Sequence, residues 1–140
     1  MTPNARSFLL VEDNPVDAMS VARALRELGA ADSMAHVTSA EEALSYLSDS
    51  QHDDPSLIVL DLHMPGMSGI ELLRTIKSDP NLSRTPVIVM TSSQEQRYIL
   101  ESFETGAAGY IVKPKDYEGF RAAVKAIEGY WNLSELPAYA

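Results

Sequence analysis

Short apolar runs that alternate with helical patterns predict an α/β domain built on a parallel sheet. Three observations carry that reading. Phe8-Leu9-Leu10-Val11, Leu57-Ile58-Val59-Leu60 and Val87-Ile88-Val89-Met90 are β-prone and fully apolar, as strands covered on both faces are. The segments between them repeat apolar residues at helical spacing and open on helix-capping residues. Each run also ends in polar chemistry: Glu12-Asp13, Asp61 and Thr91-Ser92. In an open parallel sheet the carboxyl ends of the strands share one edge, where ligands bind.

The elements follow in order. The first strand covers residues 7–12. Asn14-Pro15 then reads as an N-cap followed by proline at the first helical position, where a missing N–H costs nothing. Val21, Ala24, Leu25 and Leu28 recur at helical spacing, and Gly29 is placed to end that helix. A weaker strand spans residues 34–37. Ser39 with Glu42 forms a capping box for a second helix running through Leu47. Residues 48–56 make a polar, acidic loop into the Leu57 strand. Ser68 with Glu71 is another capping box, for a helix that buries Leu72, Leu73 and Ile76. A loop over residues 78–86, with Asp79-Pro80, leads into the Val87 strand. The next helix spans residues 94–105, with Ser92 or Ser93 as cap, Glu95 or Gln96 as box partner, and Gly106 as its stop. Phe103 and one of Tyr98 or Ile99 are expected to cover the sheet. Gly109-Tyr110-Ile111-Val112 is a short fifth strand, and Asp116 caps a last helix carrying Phe120, Val124 and Ile127. There are no internal repeats. Residues 1–131 read as one domain of five βα units, and residues 132–140 as a short C-terminal extension.

The 140 residues suffice for a buried core, and 45% hydrophobic with 22% charged residues is ordinary for a globular chain. A net charge of −9 argues against nucleic acid and against anionic membrane surfaces. The absence of cysteine removes disulfides and thiolate metal sites. No apolar run approaches the ~20 residues needed to cross a bilayer. Residues 1–6 lack the apolar stretch of a signal peptide, so a cytoplasmic location is expected.

Glu12, Asp13 and Asp61 therefore fall on one sheet edge. Crowded like charges are unfavourable: at ~4 Å and an effective dielectric of ~20, each pair costs on the order of 4 kcal/mol. A divalent cation would reward the arrangement, and the all-oxygen donor set favours Mg2+ or Mn2+. Thr91 brings a hydroxyl to the same edge, free for the site if Ser92 or Ser93 caps the following helix. Lys113-Pro114 follows the fifth strand; the proline can hold the bend, a cis peptide being one way. Lysine is a point charge for phosphate. Acids, cation, lysine and hydroxyl together suit phosphoryl transfer onto a carboxylate, with Asp61 as acceptor.

These residues stand in Val11-Glu12-Asp13, Leu60-Asp61-Leu62-His63-Met64-Pro65-Gly66-Met67-Ser68-Gly69, Met90-Thr91-Ser92 and Gly109-Tyr110-Ile111-Val112-Lys113-Pro114. In that order and spacing the chain resembles a response-regulator receiver domain of two-component signalling. The resemblance implies a flavodoxin-like, doubly wound fold with strand order 2-1-3-4-5. It implies that Asp61 takes a phosphoryl group from a sensor histidine kinase. Glu12, Asp13, Asp61 and the backbone carbonyl of His63 would hold Mg2+ or Mn2+. Thr91 and Lys113 would bind the phosphoryl oxygens, and Tyr110 would be the switch aromatic that turns inward as Thr91 is drawn to phosphate. Glu12 stands where many members have aspartate. His63 and Ser93 sit where the family varies. The Val11-to-Asp17 start and the Tyr130-to-Pro137 ending resemble, more narrowly, the single-domain regulators that accompany bacterial phytochromes.

Three functions compete on these residues. A phosphorylation-switched module would signal by protein contact, or by relay to a histidine phosphotransfer protein, since few residues follow Tyr130. It would pair through its fourth helix, fifth strand and fifth helix into a homodimer. An aspartyl phosphatase would need a second acid two residues beyond Asp61, where His63 stands. A phosphorylation-independent interaction domain would have no use for Asp61, Thr91 and Lys113 together. His36 and His52 lack ligand-spaced partners and read as structural or solvated. Gly66, Gly69, Gly106 and Gly109 read as turn residues, not a nucleotide loop. Tyr130-Trp131 reads either as a tail folded back over the domain or as a partner surface.

Overall fold

The apolar runs pair side by side into one parallel sheet in the computed structural model, which describes residues 7–30, 33–51 and 54–135. The strands are β1 (Phe8–Val11), β2 (Met34–Val37), β3 (Leu57–Leu60), β4 (Val87–Thr91) and β5 (Gly109–Val112). The helices are α1 (Pro15–Glu27), α2 (Ala40–Ser48), α3 (Gly69–Ser78), α4 (Gln96–Thr105) and α5 (Tyr117–Leu133). The sheet order is β2-β1-β3-β4-β5, the order the family resemblance implies. The expectations for residues 1–6, for His52 and for the chain from Leu136 onward lie outside the described residues.

Strand alternation divides the core in two. Leu9, Val11, Ile58, Leu60, Val87 and Val89 face α2 and α3, whose Ala43, Leu47, Leu72, Leu73 and Ile76 meet them. Phe8, Leu10, Leu57, Val59 and Met90 face α1 and α5, meeting Val21, Leu25, Phe120, Val124, Ile127 and Trp131. Full burial of each such side chain contributes roughly 1.5–3 kcal/mol. Because β1 and β3 sit mid-sheet with helices on both faces, their carboxyl ends are held rigidly where the acids follow.

The caps form as the sequence implies for four helices. The Asn14 side chain accepts from the N–H of Val16 and Asp17, Ser39 from Glu42, Ser68 from Glu71, and Asp116 from Gly119. The fourth departs. Helix α4 starts at Gln96 with Glu95 as N-cap and no side-chain capping bond, while Ser93 Oγ accepts from the Glu95 N–H at 3.2 Å. The serine closes a turn ahead of the helix instead of capping it.

Helix α4 also seats differently on the sheet. Phe103 does not cover it, being 49% exposed; Ser102 is the fully buried residue of the helix, and Tyr98 packs alongside. The buried serine is satisfied within its own helix, Ser102 Oγ donating to the Tyr98 carbonyl at 2.7 Å. Phe103, the next residue, is thereby turned outward. Trp131 is settled the other way: it lies within α5 and is 5% exposed, packed against the α1 side.

Gly69 is a close-approach residue, not a turn. It is the first residue of α3, and a Cβ there would clash with the Asp61 carbonyl oxygen and lie 2.6 Å from Leu62 Cα. Its own N–H donates to the Leu62 carbonyl at 2.9 Å. Gly106, with φ of 117°, ends α4 in the left-handed region as expected.

Candidate functional site

Four strand ends deliver the expected side chains to one edge. Glu12 follows β1, Asp61 follows β3, Thr91 ends β4 and Lys113 follows β5. Glu12 and Asp61 are 4% and 6% exposed and Thr91 is fully buried, so the edge is a recess. Glu12, Asp13 and Asp61 each present a carboxylate oxygen within 4.8 Å of the others, Asp13 being the most open of the three. An all-oxygen triad of this kind fits a hard divalent cation of the Mg2+ or Mn2+ type, which needs few protein ligands.

The Lys113 ammonium lies among the acids. Its Nζ is 2.9 Å from Glu12 Oε1, 2.7 Å from Asp17 Oδ2 and 3.1 Å from Asp61 Oδ2, in a setting where its side chain is 10% exposed. Burial alone would pull the ammonium down; the carboxylates of Asp17, Glu12 and Asp61 outweigh it and hold Lys113 well above the ordinary lysine range. Glu12 is pushed up to about 7, chiefly by burial and also by the charge of Asp61, against the opposing pull of Lys113. Both directions are consistent, since one lysine is divided among several acids. The Lys113–Pro114 peptide is trans, as no cis peptide occurs among the described residues.

Backbone groups fix the acids in place. The His63 N–H donates to Asp61 Oδ1 at 3.2 Å, and the Asn14 N–H to Glu12 Oε2 at 3.1 Å. Thr91 Oγ1 is buried with no hydrogen-bond partner among the described residues. A buried hydroxyl left unpaired costs ~1–3 kcal/mol. It is therefore available to a ligand at this edge. Tyr110 is half-buried, its hydroxyl donating to the Ser93 carbonyl at 2.8 Å, and burial pushes its phenol up. The His63 ring meets Tyr98 of α4 edge-on at 5.0 Å. His36 is exposed on β2, with Nε2 2.8 Å from the Glu12 carbonyl, and stands apart from the Glu12, Asp13 and Asp61 group.

Asp17 is the site residue the sequence reading passed over. It sits in the first turn of α1, where acids commonly favour the helix N-terminus, and its partner is distant in sequence. Its spacing after the Asn14 cap was the available signal. Only the fold, which brings the first turn of α1 next to the residue after β5, reveals the pair.

The family model for the response regulator receiver domain matches residues 8–125. The chain belongs to that family. The "Probable methanogenesis regulatory protein FilR2" of Methanothrix harundinacea is 32% identical over 137 residues, covering 94% of this chain and 88% of its own. Among solved structures, the phosphorylated cyanobacterial phytochrome response regulator RcpA is similar with a TM-score of 0.89 and 33% identity, over 95% of this chain and 99% of that one. The Mn(2+)-bound form of response regulator Rcp1 gives 0.84 and 29%, again over 95% and 99%. The receiver fold and its two-component role are therefore those of this chain. Among the described residues, no helix is long and apolar enough to cross a membrane.

Proposed function

We propose that this receiver accepts a phosphoryl group on Asp61 from a sensor histidine kinase and signals through the resulting change in its protein-binding surface, or by onward relay. The observation that carries this reading is the Lys113 ammonium, 3.1 Å from Asp61 Oδ2 in a recess that also holds an unpaired, buried Thr91 hydroxyl. An Asp61 carboxylate oxygen attacks phosphorus and forms an acyl phosphate. The bond to the donor breaks at once, and the donor imidazole leaves with the electron pair. Lys113 and Thr91 bind the phosphoryl oxygens, supplying positive charge and a hydrogen bond where charge moves.

Glu12, Asp13, Asp61 and the His63 carbonyl would hold Mg2+ or Mn2+, which neutralises phosphoryl charge when bound. Thr91, once bonded to phosphate, would vacate the space into which the Tyr110 ring turns, releasing its bond to Ser93. The likeness to RcpA supports a phytochrome-type kinase as the phosphodonor. Leu100 and Phe103 on α4 and Val112 on β5 are exposed apolar residues of one region and support a homodimer through α4, β5 and α5.

Acetyl phosphate with Mg2+ should label Asp61, and Asp61→Asn should abolish labelling, as read by intact-protein and peptide mass spectrometry. Full labelling of that variant, or labelling elsewhere, would overturn the assignment. Transfer from a phosphorylated phytochrome-type histidine kinase tests the partner separately.

A further inference from the structure

Lys113 has three ammonium hydrogens and three carboxylate partners, and one of these partners stands apart. Glu12 and Asp61 belong, with Asp13, to the triad whose oxygens lie close enough together to hold a cation; Asp17 does not. Yet Asp17 makes the shortest of the three contacts, 2.7 Å against 2.9 and 3.1 Å. We propose that Asp17 is a positioning residue for phosphoryl transfer: it anchors the Lys113 ammonium beside Asp61 while the other two carboxylates turn to metal and phosphate. This rests on the phosphoacceptor reading above.

The anchor is built to be rigid. Asp17 lies in the first turn of α1 on a helix end fixed by Pro15 and by the Asn14 side chain, which accepts from the Asp17 N–H at 3.1 Å. Asn14 is in turn tied back to Glu12, its N–H donating to Glu12 Oε2. Cation binding would redirect Glu12 and Asp61, leaving Lys113 with one carboxylate outside the metal shell. A lysine with four rotatable bonds and no such partner would sample positions away from the phosphoryl group. Held by Asp17, it keeps the remaining hydrogens directed at the acceptor. The contact also joins α1 to the end of β5, so the lysine cannot move without altering that tie.

The test measures phosphorylation by acetyl phosphate at saturating Mg2+ for the full chain and for Asp17→Ala, Asp17→Asn and Asp17→Glu. Asp17→Ala should lower the maximal rate about tenfold or more, the scale on which misplacing a reacting group is felt. Asp17→Asn should fall between, and Asp17→Glu should restore most of the rate. Mg2+ affinity, measured by isothermal titration calorimetry, should change less than threefold in all three. Because Asn14 and not Asp17 caps α1, the variants should stay folded, which circular dichroism checks. A wild-type rate in Asp17→Ala, a faster rate, or a loss that follows unfolding and is not rescued by glutamate, would each overturn the role of Asp17. Absence of labelling at Asp61 in the unaltered chain would instead overturn the phosphoacceptor reading itself.

Discussion

Glu12 carries the most displaced carboxyl in the site, and its displacement has two consequences of opposite sign. Burial, with Asp61 alongside, holds it at about 7, above the ordinary 4.5. A carboxyl raised on folding stabilises the fold most where it is protonated in both states, below about pH 4.5; that contribution fades as pH rises through 7. Metal works in the other direction, since a cation needs the carboxylate and must displace the proton. The metal-free chain should therefore lose stability between pH 4.5 and 7. Apparent Mg2+ affinity should rise over the same range, by up to about tenfold per pH unit. Glu12→Gln should flatten both slopes. Thermal melts and calorimetric titrations at pH 5, 6, 7 and 8 check this, and a slope unchanged in the variant would locate the titrating group elsewhere.

Between strand and helix, the acceptor's position depends on a backbone contact. The turn after β3 brings the Asp61 and Leu62 backbone against Gly69 at the start of α3, leaving no room for a Cβ. Gly69→Ala should cost roughly 1–3 kcal/mol by overpacking and displace the Asp61 carboxylate with it. The expected result is a lower denaturation midpoint together with slower labelling by acetyl phosphate. A midpoint unchanged within error would mean that α3 shifts freely. Chain pattern alone made much of this level legible: strands β1, β3 and β4 are uninterrupted apolar runs, and the caps at Asn14, Ser39, Ser68 and Asp116 announce their helices locally. What stayed hidden depends on contacts distant in sequence. Gly69 resembles any turn glycine until α3 is docked. Asp17 resembles a helix-start acid until β5 arrives beside it. In α4 the larger residue, Phe103, was the natural inward choice, but Ser102 takes the buried position, its hydroxyl satisfied by the Tyr98 carbonyl of its own helix. Lys77 is a similar case: its Nζ donates to the Ser83 and Thr85 carbonyls at 3.0 and 2.8 Å, clamping the loop before β4, and no local pattern marks it.

For the whole molecule, α4 is the element that both reaches the site and faces outward. Tyr98 on its inner side meets His63, two residues after Asp61, while Leu100 and Phe103 are 60% and 49% exposed. Beside it, Tyr110 ties β5 to Ser93 in the loop leading into α4. A change at Asp61 that moved Thr91 and freed Tyr110 would therefore act directly on the ground from which Leu100, Phe103 and Val112 project. Trp131 does not add to that patch, because it is packed under the α1 side. An interface on Leu100, Phe103 and Val112 alone would be of the weak, reversible kind that a switch can bias. A two-fold pairing places each patch against its copy, as isologous dimers do. Sedimentation at micromolar concentration should show a monomer–dimer equilibrium displaced by beryllofluoride with Mg2+, with an affinity change of roughly 5- to 150-fold, the usual span of coupling between two sites. Leu100→Glu with Phe103→Ser should leave the chain monomeric in both states while labelling of Asp61 continues, because neither residue enters the recess. Dimerisation that survives this pair of changes would move the interface off α4. A strict monomer in every state would leave the patch to a kinase or a downstream protein.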